Sequence, residues 1–214
     1  MSGCDPDARV RPLRNATPVD GRLQRSERTR QALIKAYLDL VREDLQVPAA
    51  VVVAKRAGCS VRSVFERFTD MGQLGLAAID HVVGLGLSTP VGDMAEADRH
   101  ARLNFQIRTR ARNCETWLPF WRVLVRHQST SERVAARIDH MRGFTRRRLQ
   151  LMYRPELDVL SETERDKILI ALEALTDFEA WGRMREHHGL SFEEACAAWR
   201  CTIDRLLPPT PSDR

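Results

Sequence analysis

The run VVVAKRAGCSVRSVFERFTDMGQL, from Val51 to Leu74, decides the fold of this 214-residue chain. Pro48 suits the first turn of a helix, so a short helix is predicted over 48–57. Gly58 ends it, since glycine enters the left-handed backbone region without a steric penalty. Ser60 is placed to cap a third helix by accepting a hydrogen bond from an amide one turn on. Two short helices across a tight glycine turn read as a helix-turn-helix. Ala54 and Ala57 are small enough for close packing, and Cys59, Val64 and Phe68 are expected to face inward. That leaves Val61, Arg62, Ser63 and Arg67 outward. A reading helix needs this arrangement, because residues near its N-terminus reach base edges in the major groove. The same spacing also fits an ordinary helical hairpin with a solvated arginine face, and it leaves both readings open.

Upstream, Ser26 is the expected cap of a first helix running from Glu27 to about Asp44. Leu33, Ile34, Tyr37, Leu38, Val41 and Leu45 recur along it at helical spacing and mark a wide buried face. Residues 1–24 read as a flexible arm, whose arginines either touch phosphates or remain solvated. Downstream, a fourth helix is predicted from Asp70 to about Leu85, broken by Gly84, Gly86, Ser88 and Pro90. Further helices are expected over 93–113, 117–127 and 131–153. Capping boxes at Ser161/Glu164 and Ser191/Glu194 open two more, over 161–187 and 191–207. No stretch alternates in the manner of a strand, so the predicted class is all-α. A three-helix DNA-binding domain over 25–88 would be followed by a helical domain over 89–207 and a flexible tail over 208–214.

Charge is uneven along the chain, whose net is +5. Residues 98–154 hold fourteen arginines against four acids, a net +10, whereas 155–214 hold seven basic and thirteen acidic side chains, a net −6. The five cysteines are scattered, with no paired spacing for a disulfide framework or a zinc site, which suits a cytoplasmic protein. No metal or cofactor is expected. His187 and His188 are adjacent and point about 100° apart on a helix, and no phosphate-binding glycine loop occurs, so no enzyme is expected. No 18-residue apolar run suggests a membrane span.

The stretch from Val51 to Leu74 resembles the helix-turn-helix of the TetR/AcrR transcriptional regulators. Val53, Ala54, Ala57 and Gly58 match the aliphatic, alanine and glycine positions before the turn. Cys59 and Ser60 match the small hydrophobe and serine after it, Val64 and Phe65 the aliphatic-aromatic pair, and Phe68 and Leu74 the closing positions. The chain departs from the pattern at Phe65, commonly a tyrosine, at Met71, commonly a lysine, and at Gly72, commonly an acid. The segment from Leu172 to Trp199 resembles the last two long helices of many members.

The resemblance implies a homodimeric regulator that binds double-stranded DNA, most often a repressor released by a small-molecule effector. On that reading Val61, Arg62, Ser63, Phe65 and Arg67, with Arg25 and Arg28, are the expected DNA contacts. An effector pocket in the second domain would draw on Phe105, Trp117, Phe120, Trp121, Met141, Phe144 and Trp181, each of which also reads as simple core. Arg108 and His140 would meet an acidic group on an otherwise apolar ligand. The last two helices would form the dimer interface through Ala171, Leu175, Phe178, Ala195, Ala198 and Trp199. A second reading keeps the fold without operator binding. Val51 and Val52 would then serve a protein partner, and Met71 would mark a lost backbone contact.

Overall fold

The computed structural model describes residues 18–87 and 92–211, and all regular structure among them is helical. The first four helices are α1 (Pro18–Asp44), α2 (Ala50–Arg56), α3 (Val61–Phe65) and α4 (Met71–Leu87). They share a core in which Leu33, Val41, Val53, Val64 and Leu74 are fully buried. α1 packs against α4 and α2, and α2 against α3. Helix α1 begins at Pro18, not after Ser26, so 18–24 belong to a helix and not to an arm. Proline at the first position lacks only an N–H that would go unused there. The expectation for residues 1–17 lies outside the described residues.

Six helices follow: α5 (Arg99–Arg126), α6 (Glu132–Met152), α7 (Arg154–Leu157), α8 (Glu162–Leu175), α9 (Phe178–Gly182) and α10 (Phe192–Leu206). Helix α5 is the spine, touching α1, α6, α9 and α10. It replaces the two helices expected over 93–113 and 117–127, and carries Pro119 in its interior. Residues 114–116 hold no glycine or proline to end it, and Cys114 and Leu118 are buried against the core.

The helix expected over 161–187 is divided. Both predicted capping boxes form, at Ser161/Glu164 and Ser191/Glu194. Between them, the Thr176 hydroxyl donates to the Leu172 carbonyl at 2.7 Å and closes α8. Asp177 then accepts from the Glu179 amide at 2.8 Å and starts α9. A Thr-Asp pair thus ends one helix and caps the next, since both side chains compete for backbone hydrogen bonds. α9 continues through a π-helical turn over Arg183–His187, and Gly189 reverses the chain at φ +66°.

Residues 208–211 are clasped, contrary to the flexible tail expected there; 212–214 lie outside the described residues. Arg99 donates to the Pro208 carbonyl at 2.6 Å, and Thr210 donates to the buried Glu156 carboxylate, which also pairs with Arg102.

Candidate nucleic-acid interface and ligand cavity

The helix-turn-helix forms from local chemistry. Gly58 takes φ +68°, the Cys59 amide donates to the Ala54 carbonyl at 3.0 Å, and the Ser60 hydroxyl accepts from the Ser63 amide at 3.1 Å. Helix α2 begins at Ala49–Ala50, two residues after Pro48, and has no side-chain cap. It is held to α1 instead, where Arg56 grips Glu43 in a bidentate pair at 2.7 and 2.8 Å. That pair holds the Glu43 carboxyl below the usual carboxylate range.

Helix α3 presents Val61, Arg62 and Phe65 to solvent. The Arg62 side chain is 87% exposed and bonds to Glu66 at 2.9 Å one turn on. Phe65 is 49% exposed, unusual for a large aromatic without a partner. Ser63 is half-buried beside its cap. Arg67 behaves differently from the outward residue expected. Its side chain is only 19% exposed and donates to the Ser63 carbonyl at 3.1 Å and the Ser26 carbonyl of α1 at 3.4 Å. Arg67 therefore fastens the end of α3 to α1. Arg25 and Arg28 are exposed on α1, and Arg25 donates back to the Gly21 carbonyl at 3.1 Å.

A cavity of about 360 Å³ lies between the end of α4 and helices α5, α6, α8 and α9. Four residues expected at an effector pocket line it: Trp117, Trp121, Met141 and Phe144. Five others do not. Arg108 is committed to Glu193 of α10 at 2.7 and 2.9 Å. Phe120 packs beside a second, smaller cavity. Phe105 is half-buried outside the lining, and His140 is exposed. Trp181 is fully buried in the core, where its indole donates to Glu115 at 2.7 Å.

Phe178, expected at the dimer interface, is a cavity wall. Its ring stacks on Trp121 at 4.9 Å between centroids, and the Arg110 guanidinium lies 4.6 Å above it. Arg110 is fixed by donation to the Thr176 carbonyl at 2.8 Å. Arg142 and Arg148 also line the cavity; burial lowers the pKa of Arg148, whose Nε donates to Gln106 at 2.8 Å. Two wall carboxylates are engaged within the chain, Glu173 by Arg146 at 3.0 Å and Asp177 by capping α9. Sequence reasoning missed the polar part of this wall. Its signal was a stripe on α5, where Gln106, Arg110, Asn113, Trp117 and Trp121 recur at three- and four-residue spacing along one face.

The other expected interface residues divide in two. Ala195 and Trp199 are buried within the chain and are corrected to core, because α10 turns its apolar face onto α5. Ala171, Leu175 and Ala198 are half-buried.

No sequence-family model matches the chain, and no curated protein matches it in sequence. Among solved structures, a transcriptional regulator from Rhodococcus sp. Rha1 superposes with a TM-score of 0.60. The match covers 85% of this chain and 99% of that one, at 16% identity. This chain has the fold of that regulator. At such identity the likeness is one of architecture alone. Among the described residues no helix is long and apolar enough to cross a membrane.

Proposed function

We propose that the protein is a non-catalytic, cytoplasmic transcriptional regulator of the TetR/AcrR type. On this reading it binds a short palindrome in double-stranded DNA as a homodimer, and a small molecule releases it. The observation that carries the reading is α3, a capped helix after a glycine turn that exposes Val61, Arg62 and Phe65 together. Arg62 suits the guanine acceptors, while Val61 and Phe65 suit thymine methyl groups. Exposed Arg25 and Arg28 supply phosphate attraction.

The cavity supports an effector with an aromatic or otherwise apolar body and an acidic group. Trp117, Trp121, Phe144 and Phe178 favour the first, and Arg110 and Arg142 the second. We assign the dimer contact to the outer face of α8, with the half-buried Ala171 and Leu175 and with Ile170, which is 60% exposed, together with the half-buried Ala198 of α10. Against catalysis stands Cys114, whose thiol burial pushes up to about 11, far from a nucleophile's range.

Selection of purified protein against random duplexes tests the reading. Enrichment of a palindrome supports it; no enrichment at low salt, without effector, overturns it. That second result favours an interaction protein of the same fold, for which Val51, 62% exposed on α2, is the supporting observation.

A further inference from the structure

A second cavity, of about 240 Å³, lies directly beneath the reading head. Tyr37 of α1, Met71, Gly75 and Ile79 of α4, Phe120 of α5 and Val134 of α6 line it, and it opens to solvent on one side. At about 30 Å³ per water, its volume corresponds to roughly eight waters, the scale of a substituted six-membered ring. Tyr37 is 5% exposed and lines the cavity. Burial pushes the Tyr37 hydroxyl up to about 12, so at neutral pH it stays an undissociated donor. It stands against Gly75, where an added Cβ would lie 3.1 Å from the phenol oxygen. The glycine therefore keeps open the space that a larger residue would fill. A phenol O–H donates a hydrogen bond, so a carbonyl-type oxygen entering the cavity can accept one from Tyr37.

We propose that this cavity binds a compact, mainly apolar, neutral molecule whose single oxygen accepts a hydrogen bond from Tyr37. Neutrality follows from the walls: Ile79, Phe120 and Val134 offer an anion nothing in exchange for its hydration, Asp70 would repel it, and His127 and Thr130 are bonded to the Val123 and His127 carbonyls. Arg133 sits at the rim and is exposed. The first turns of α4 follow the reading helix directly, so an occupant there sets how the head is held against α5 and α6. The site is separate from the larger cavity and does not depend on the DNA-binding reading.

Two probes of one shape test it, cyclohexanone and methylenecyclohexane, which differ in an oxygen for a CH₂. Methionine methyl groups report the place of binding, because Met71 lines this cavity and Met141 lines the larger one. Cyclohexanone is expected to move the Met71 resonance saturably. Tyr37→Phe, which keeps the ring and removes only the hydroxyl, is expected to weaken cyclohexanone about tenfold and leave methylenecyclohexane unchanged. Leu76→Phe, filling the same cavity, is expected to block both. The proposal is overturned if Met141 moves and Met71 does not, if the Met71 shift never saturates, or if Tyr37→Phe alters both probes equally.

Discussion

Arg42, in the last turn of α1, holds its guanidinium 5.6 Å from the ring centroid of Trp117, a wall of the larger cavity. The next residue, Glu43, grips Arg56 of α2. One turn of α1 thus joins the cavity wall to the helix-turn-helix. Arg42→Ala is expected to cost roughly 0.5–1 kcal/mol, the scale of a partly exposed cation–π contact, read from a urea unfolding midpoint. A ligand of the larger cavity should also change DNA affinity less in this variant than in the parent, although each binds alone as before. An undiminished ratio of DNA affinities with and without ligand would remove Arg42 from the coupling.

Gly182 is where α9 crosses α5. A Cβ there would lie 2.7 Å from Arg122 Nη2 and 2.9 Å from Leu118 Cδ2. Arg122 cannot easily withdraw, because it holds Glu179 and Glu186 through bonds of 2.9 to 3.3 Å. Gly182→Ala should therefore destabilise by about 1–3 kcal/mol, as overpacking does, and lower the melting temperature. Gly21→Ala, where a Cβ meets nothing within 4 Å, is the control and should not.

Glu115 receives Arg185 at 2.9 Å and the Trp181 indole at 2.7 Å. The Arg185 hydrogen bonds, then the indole, hold its carboxyl below the ordinary carboxylate value of 4.5. A depressed folded value adds stability that is fully present above the unfolded value and fades as pH falls through the folded one. Glu115→Gln should accordingly lower stability at neutral pH and flatten its decline below about pH 4.5. Parallel acid-unfolding curves for parent and variant would contradict this.

Substitutions at Trp199 and Ile170 would separate the core from the proposed dimer interface. Trp199 is buried beside Trp181, with ring centroids 4.8 Å apart. Trp199→Ala should cost roughly 3–5 kcal/mol, independent of protein concentration. Ile170→Glu should leave the helical content intact and shift the light-scattering mass toward one chain of 24.5 kDa. An Ile170→Glu variant that stays fully dimeric would place the interface elsewhere.

Arg62 and Arg67 should fail in different ways. Arg62→Ala is expected to reduce discrimination between selected and random duplexes by about 1–3 kcal/mol, the scale of one bidentate base contact. Arg67→Ala should loosen α3 from α1, lowering melting temperature together with affinity for every duplex. An Arg67 variant of unchanged stability that only lowers the salt slope would restore it as a phosphate contact.

The chain's sequence alone determined what depends on neighbours within one turn. The Gly58 turn, the Ser60 cap and the boxes at Ser161 and Ser191 are local hydrogen-bond chemistry, and each forms where its residues stand. The inward set of Leu33, Val41, Val64 and Leu74 follows from helical spacing. Tertiary structure decided what depends on which faces meet. Phe178 and Trp199 belong to equally apolar stripes, but one walls a cavity against Trp121 and Arg110 and the other fills the core against Trp181. Arg62 and Arg67 are the same residue type on one short segment. Only the approach of α1, bringing the Ser26 carbonyl within 3.4 Å, turned Arg67 into a fastener and left Arg62 in solvent. Helical periodicity records that a residue faces inward, but the partner it meets there is set by packing between segments distant in the chain.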